Sequence, residues 1–243
     1  MNETERFEFK FLITARQRDD LFATFNGDLH PDLNGGSGGV YPIVSLYYDT
    51  PDWRCYWEAW RGVPSRRKLR VRIYGTADGE IPPTSFVEVK HKLDGLGVKR
   101  RVQTTLRQAL EIGRGAGEAG QFAASEARIV REVHRLVHTD GFRPVCAIRY
   151  RRHAFAMHVE DVPEPLRLTF DDELGARFRD LDPEPDDRGC DLSLLPADHF
   201  VLEVKGIGAV PAHIAKYLAK CGLSPRRYSK YCAALHLSGS HIT

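Results

Sequence analysis

Lys68-Leu69-Arg70-Val71-Arg72-Ile73-Tyr74 is the stretch on which the reading of this chain turns. Side chains of a β-strand point alternately to its two faces. With that period, Lys68, Arg70 and Arg72 fall on one face, and Leu69, Val71 and Ile73 on the other. A half-buried strand ordinarily puts mixed polar residues on its wet face. Three cations in a row repel one another, so an anionic partner is expected against them, either a ligand or acidic side chains.

Five further segments share the design. In Arg6-Phe7-Glu8-Phe9-Lys10-Phe11 the charges alternate with three Phe. In Phe86-Val87-Glu88-Val89-Lys90-His91-Lys92, the residues Glu88, Lys90 and Lys92 oppose Val87 and Val89. Arg149 and Arg151 share a face of Ile148-Arg149-Tyr150-Arg151. Arg167, Thr169 and Asp171 oppose Leu166, Leu168 and Phe170. Glu203 and Lys205 oppose Leu202 and Val204. A Glu-x-Lys pattern occurs three times, at Glu8, Glu88 and Glu203. Leaving Arg6 aside, the charged faces hold ten cations and four anions, a net +6, whereas the whole chain is only +2. Positive charge is therefore concentrated on the strands. One such strand reads as the solvated face of an antiparallel sheet. Six with the same bias favour a barrel with an ionic lumen and an apolar outer wall covered by helices. Lys and Arg inside a low-dielectric wall focus potential and bind polyanions.

The 243 residues suit one large β-rich domain or two small ones. Hydrophobic and charged shares of 42% and 28% are those of an ordinary soluble globular chain. There is no apolar run of about 18 residues to span a membrane. The first six residues are acidic and polar, unlike a secretory signal. Five widely spaced cysteines with no CxxC pair argue against a zinc knuckle or redox dithiol and favour reduced thiols in the cytoplasm. The net charge gives no argument for nucleic acid.

Between the strands, Thr14-Ala15-Arg16-Gln17 matches a capping box, and Leu21, Phe22 and Phe25 form a helical stripe behind it. Residues 34–39 and 75–83 read as loops. Residues 41–48 read as a strand, and residues 53–60 as a short helix or a strand. Asp94-Gly95 marks a hairpin between residues 86–92 and 98–102. Thr105 heads another capped helix. Gly115, Gly117 and Gly120 spell GxGxxG, but no strand precedes them and no βαβ unit surrounds them, so a dinucleotide site is rejected. Ser125 is expected to cap a helix on which His134 and His138 lie four apart. With no third ligand nearby, those histidines read as solvated. Residues 144–157, 167–171 and 200–205 read as strands. Pro211 opens a helix that Gly222 closes. Ser224-Pro225 is expected to start a final helix through Leu237, with Ser229 and Lys230 on its first turns, where a phosphate feels the helix dipole.

Taken together, Arg6 to Ile13, Tyr48-Asp49-Thr50-Pro51, Arg67 to Gly75, Glu88-Val89-Lys90, Leu202-Glu203-Val204-Lys205 and Tyr228-Ser229-Lys230-Tyr231 resemble the VTC (vacuolar transporter chaperone) catalytic domain. That is the polyphosphate polymerase branch of the triphosphate tunnel metalloenzymes, a CYTH-like superfamily. The resemblance implies an α+β fold: a closed antiparallel β-barrel, or triphosphate tunnel, of about eight strands with helices packed on the outside, as a single domain over residues 5–237. It implies a metal-dependent phosphotransferase that moves the γ-phosphoryl group of ATP onto a growing polyphosphate chain. The implied partners are ATP and inorganic polyphosphate, and the implied cofactor is Mn2+ or Mg2+.

Position by position, the family's catalytic cations fall on Lys10, Arg70, Arg72, Lys90, Arg149 and Arg167. Lys99, Arg151, Lys205, Ser229 and Lys230 are expected to bind phosphate. Glu203, with Glu8 and Glu88, is expected to hold the metal. Eukaryotic members carry an SPX domain and a membrane segment. Neither is found in these residues, so no direct membrane insertion is expected. The wider superfamily opens with ExExK, and here Arg6 replaces the first Glu. That loss weakens a second metal site and counts against a triphosphatase that activates water between two metals. An inorganic or nucleoside triphosphatase and a non-catalytic polyanion-binding module remain alternatives. Nothing marks an adenine pocket for a cyclase.

Overall fold

Each of the six two-faced segments forms a strand in a computed structural model of the chain, which describes residues 6–32, 38–75, 84–94, 96–159, 164–185, 187 and 189–239. Most of the two expected loops at 34–39 and 75–83, and Gly95 of the expected hairpin turn, lie outside the described residues. The strands are β1 (Arg6–Thr14), β2 (Leu29–Pro31), β3 (Val40–Asp49), β4 (Arg66–Tyr74), β5 (Ser85–Leu93), β6 (Leu96–Thr104), β7 (Arg143–Met157), β8 (Leu166–Arg177), β9 (Leu192–Ser193) and β10 (His199–Ile207). The helices are α1 (Ala15–Phe25), α2 (Arg54–Arg61), α3 (Leu106–Gly113), α4 (Ala124–His138), α5 (Ala212–Lys220) and α6 (Lys230–Leu237). Strands pair in the order β1-β10-β8-β7-β3-β4-β5-β6, with β2 beside β7 and β9 beside β8. Among the described residues an antiparallel sheet with six α-helices makes the fold α+β, as expected.

The expected closure is corrected. Among the described residues the strand order has two ends, β1 and β6, with no ladder joining them. Alternating charge decides which side chains share a face; it carries no information on whether two edges meet. Closure needs a ladder between the end strands, and both edges are guarded against one. β6 carries Lys99, Arg100 and Arg101 in succession, and cations on an edge oppose strand addition. Along β1, the Arg226 N–H donates to the Lys10 carbonyl at 2.7 Å, so the segment before α6 occupies part of that edge.

The chain divides into two compact units. The first holds residues 1–41, 150–174 and 195–228. Its core joins Phe11, Ile13, Leu168, Phe170, Leu202 and Val204 of the sheet to Leu21 and Phe25 of α1 and Ile214 and Leu218 of α5. The capping box at α1 is complete: the Thr14 side chain accepts from the Gln17 N–H, and Gln17 accepts from the Thr14 N–H at 3.0 Å. Pro211 caps α5, and Gly222 ends it at φ 66°.

The second unit holds residues 42–149, 175–194 and 229–243. Leu69, Val71 and Ile73 of β4 are fully buried, together with Val87 and Val89 of β5 and Val102 of β6. The undecided stretch at 53–60 is helix α2, and a buried carboxylate starts it. Asp49 accepts from the N–H groups of Thr50 (2.7 Å), Cys55 (2.8 Å) and Tyr56 (3.1 Å). The Tyr231 hydroxyl donates to the same carboxylate, tying α6 to the end of β3.

Two helix starts differ from expectation. α4 begins at Ala124 behind Ala123, with no side-chain cap, so Ser125 lies inside its first turn. α6 begins at Lys230 with Ser229 as its cap, not at Ser224; residues 223–229 are irregular, drawn along β1 by the Arg226 bond. His134 and His138 are not merely solvated. Their ring N–H groups donate to the carbonyls of Ala116 (3.0 Å) and Gly115 (2.8 Å), pinning the glycine-rich segment against α4.

Replacing Asp49 by Ala leaves three amides and a phenol without their acceptor. A loss of about 3 kcal/mol is expected, read as a lower urea midpoint with an unchanged slope.

Candidate functional site

The charged faces are buried in part, most deeply around Glu88. In the second unit Arg70 and Arg72 are 7% and 5% exposed, and Glu88 is completely buried. The pairing register sets Arg70 opposite Glu88 and Glu88 opposite Arg101. One row further, Lys68 stands opposite Lys90 and Lys90 opposite Lys99, three ammonium-bearing residues abreast across three strands. Like charges directly opposed on a sheet destabilise it.

Glu88 is the carboxylate that tempers this face. Its Oε2 accepts from Arg70 Nε at 2.5 Å, and its Oε1 meets the Lys99 ammonium. Burial by itself would raise the Glu88 carboxyl, but Arg70, Arg72 and Lys99 outweigh it and hold the group well below the usual carboxylate range. Arg70 Nη1 donates to the Tyr47 hydroxyl at 3.3 Å, and Arg72 Nε to Ser45 Oγ at 2.9 Å. Burial pushes the Tyr47 phenol up, but Arg70 and Arg72 bring it below its ordinary value. Lys68 Nζ donates to Ser229 Oγ at 3.1 Å and stands 5.8 Å from the Tyr231 ring. Ser229 Oγ also accepts the Cys232 N–H at 3.4 Å, so its hydroxyl is already part of the α6 cap. Lys230 is the half-buried first residue of α6, Arg149 is half-buried on β7, and Lys90 is exposed on β5.

In the first unit the charges balance instead. The Glu-x-Lys segments of β1 and β10 run antiparallel, so each Glu faces the other strand's Lys: Glu8 opposite Lys205 and Lys10 opposite Glu203. Lys10 Nζ lies 3.3 Å from both Glu8 and Glu203. Lys205 Nζ lies 2.7 Å from Glu203 and 3.5 Å from Glu8. Burial works to lower the Lys10 ammonium, but Glu203 and Glu8 outweigh it and raise it above its usual value. Burial likewise opposes the net lowering of Glu8, which comes from Lys205 and Lys10. Arg167 donates to Asp32 at 2.7 Å and to the Tyr41 hydroxyl at 3.3 Å.

Arg152 is a member of this charged cluster that strand parity does not select. It is buried, grips Asp171 at 2.6 and 2.7 Å, and reaches within 3.9 Å of Glu203. Its neighbour Arg151 points to the other face of β7 and pairs with Asp172 at 2.8 Å and Glu173 at 3.0 Å. Burial, then Asp171, push the nearby Tyr228 phenol up to about 12. A strand parity counted from Arg149 selects Arg151. The signal that would have found Arg152 is the succession Arg151-Arg152 set against Asp171-Asp172, which forces one ion pair onto each face.

Among the described residues no trio of His, Cys, Asp or Glu is arranged to hold a metal by itself. Glu8 and Glu203 nevertheless offer two neighbouring carboxylates, and Mg2+ sites commonly take one or two carboxylates and complete their shell with substrate phosphates. Those two residues fit a hard cation of that kind. Glu88 fits less well, with both oxygens already engaged by Arg70 and Lys99.

Each unit thus carries buried Arg and carboxylate side chains on the charged faces of its antiparallel strands. The family model of the VTC domain matches residues 5–238, nearly the whole chain, and the chain belongs to that family. Membership implies a function related to polyphosphate polymerisation, within a family of phosphotransferases. A search among curated proteins found no match. Among the described residues no helix is long and apolar enough to cross a membrane.

Glu88 gives a pH test. Its pKa is lower in the folded chain than the ordinary 4.5, so its stabilisation is full above pH 4.5 and is lost as the pH falls below it. Glu88→Gln should be less stable than the parent at pH 7. The difference should shrink by up to about 1.4 kcal/mol per pH unit below 4.5, as measured by urea unfolding across that range.

Proposed function

We propose that the chain is a polyphosphate polymerase that transfers the γ-phosphoryl group of ATP to the end of a polyphosphate chain, with Mn2+ or Mg2+ as cofactor. The observation that carries this reading is the burial of Arg70 and Arg72 beside one carboxylate, in a member of the VTC family. Two polyanions must approach each other in this reaction, and their repulsion is the main obstacle. A preorganised cationic face removes it, and phosphoryl transfer asks for little beyond positioning and charge stabilisation. The attacking phosphate oxygen is already an anion at neutral pH, so no general base is needed.

Arg70 and Arg72 in the second unit, and separately Arg167 in the first, could each fork onto phosphate oxygens, a geometry that guanidinium supplies and ammonium does not. Lys90, Lys99 and Lys230 would add charge along the bound chain, and Ser229 would keep Lys230 at the start of α6. Glu203 and Glu8 would hold the cation, which when bound neutralises phosphate oxygens. Arg152, fixed by Asp171, would orient Glu203. Lys10 and Lys205 now spend their charge on those two carboxylates. A phosphate chain would give both ammonium groups an alternative partner and free carboxylate oxygens for the metal. The five free cysteines support a reducing, cytoplasmic setting.

The test uses gel analysis of products formed from ATP and Mn2+. Arg70→Lys keeps the charge but loses the fork, and Glu203→Gln keeps the shape but loses the anion. Each should cut chain growth roughly 100-fold while leaving the unfolding midpoint within reach of the parent's. Full synthesis by either variant would remove these assignments. Free phosphate without polymer would point to hydrolysis instead, and tight metal-independent binding without turnover to a binding module.

A further inference from the structure

The β5–β6 hairpin has two sharply different faces. On one, Val87 pairs with Val102, Val89 with Arg100, His91 with Val98 and Leu93 with Leu96. On the other, Glu88 pairs with Arg101 and Lys90 with Lys99, with Lys92 next in line. At the base of the hairpin the first face is core, since Val87, Val89 and Val102 are fully buried. Towards the turn the same face loses its cover: Leu93 is 48% exposed, Val98 52% and Leu96 70%. These are three of the seven large hydrophobic side chains exposed among the described residues, gathered at one tip. Around them, residues 90–101 hold five Lys or Arg and one acid, Asp94.

We propose that this tip docks on an anionic lipid surface. Three partly exposed aliphatic side chains offer a few hundred Å2, well under the roughly 800 Å2 per partner of a standard protein interface. They suit a lipid interface, where a few apolar side chains combine with nearby cations for reversible adhesion. A second copy of the chain is disfavoured, because pairing two β6 edges would bring Lys99, Arg100 and Arg101 against their own kind. Lys92 is exposed beside Leu93, so its ammonium group reaches the headgroups when the leucines lie at the acyl boundary. Adhesion of this kind needs no spanning segment, so the expectation of no direct membrane insertion gives way at the hairpin tip alone. It is independent of which reaction the chain performs.

The experiment is co-sedimentation of the full chain with phosphatidylglycerol–phosphatidylcholine vesicles, with pure phosphatidylcholine vesicles as the control. Binding should require the anionic lipid and weaken as salt rises. The double variant Leu93→Asp, Leu96→Asp should bind roughly tenfold more weakly with an unchanged unfolding midpoint. In a second variant, Leu96→Trp, the added emission should shift to the blue on anionic vesicles. Absent binding by the parent chain overturns the proposal, as does equal binding by the double variant or an unshifted Trp emission. Self-association that the aspartates abolish overturns it in favour of a second copy.

Discussion

A charge taken out of water must meet an opposite charge closely, or the fold gives up several kcal/mol to keep it. Everything distinctive about this chain follows from how it meets that demand on the charged faces of its strands. In the first unit the solution is one-to-one. Glu8, Glu203, Asp171 and Asp32 match Lys10, Lys205, Arg152 and Arg167. In the second unit it is deliberately lopsided. There Glu88 meets both Arg70 and Lys99, while Arg72 donates to Ser45 and Lys68 to Ser229. Neutral hydroxyls in place of carboxylates leave that face positive. Such a surplus has no value for stability. The opposite faces of the same strands are fully buried aliphatic layers that hold the cations in place.

In the proposed reaction the two solutions would also divide the chemistry. A balanced cluster holds carboxylates in fixed places and keeps them ionised, which suits a cation bound through Glu203 and Glu8. A cluster with surplus guanidinium suits the phosphate chain itself. The proposed mechanism therefore assigns metal and phosphate to different residues without asking any one group to do both, and it explains why Glu88 is spent on an arginine.

Much of this was legible in the sequence, because a period of two is a local property. The faces of Lys68 to Tyr74 and of Phe86 to Lys92 follow from counting alone, and the strand register agrees, with Arg70 opposite Glu88 and Val71 opposite Val87. The capping box at Thr14 and the side-chain cap at Thr105 were readable for the same reason. What escaped was non-local. Whether β1 meets β6 depends on edges far apart in the chain. The start of α6 was displaced from Ser224 by a backbone bond to Lys10, more than two hundred residues away. Arg152 was missed because parity counted along one strand cannot see which of two adjacent arginines faces the partner strand's aspartate. Asp32 and Tyr41, which hold Arg167, come from the flanks of a glycine-rich loop that carries no signal of its own.

The antiparallel Glu-x-Lys segments of β1 and β10 have one more consequence, for how the two strands find each other. A slip of one residue would turn Phe11 and Leu202 to the wrong side of the sheet. A slip of two, which keeps the greasy side correct, would bring Glu8 against Glu203 with like charges abreast. Only the observed alignment satisfies both the oily and the ionic layer, so four charged side chains act as a key that admits a single alignment of the chain's first strand with its last.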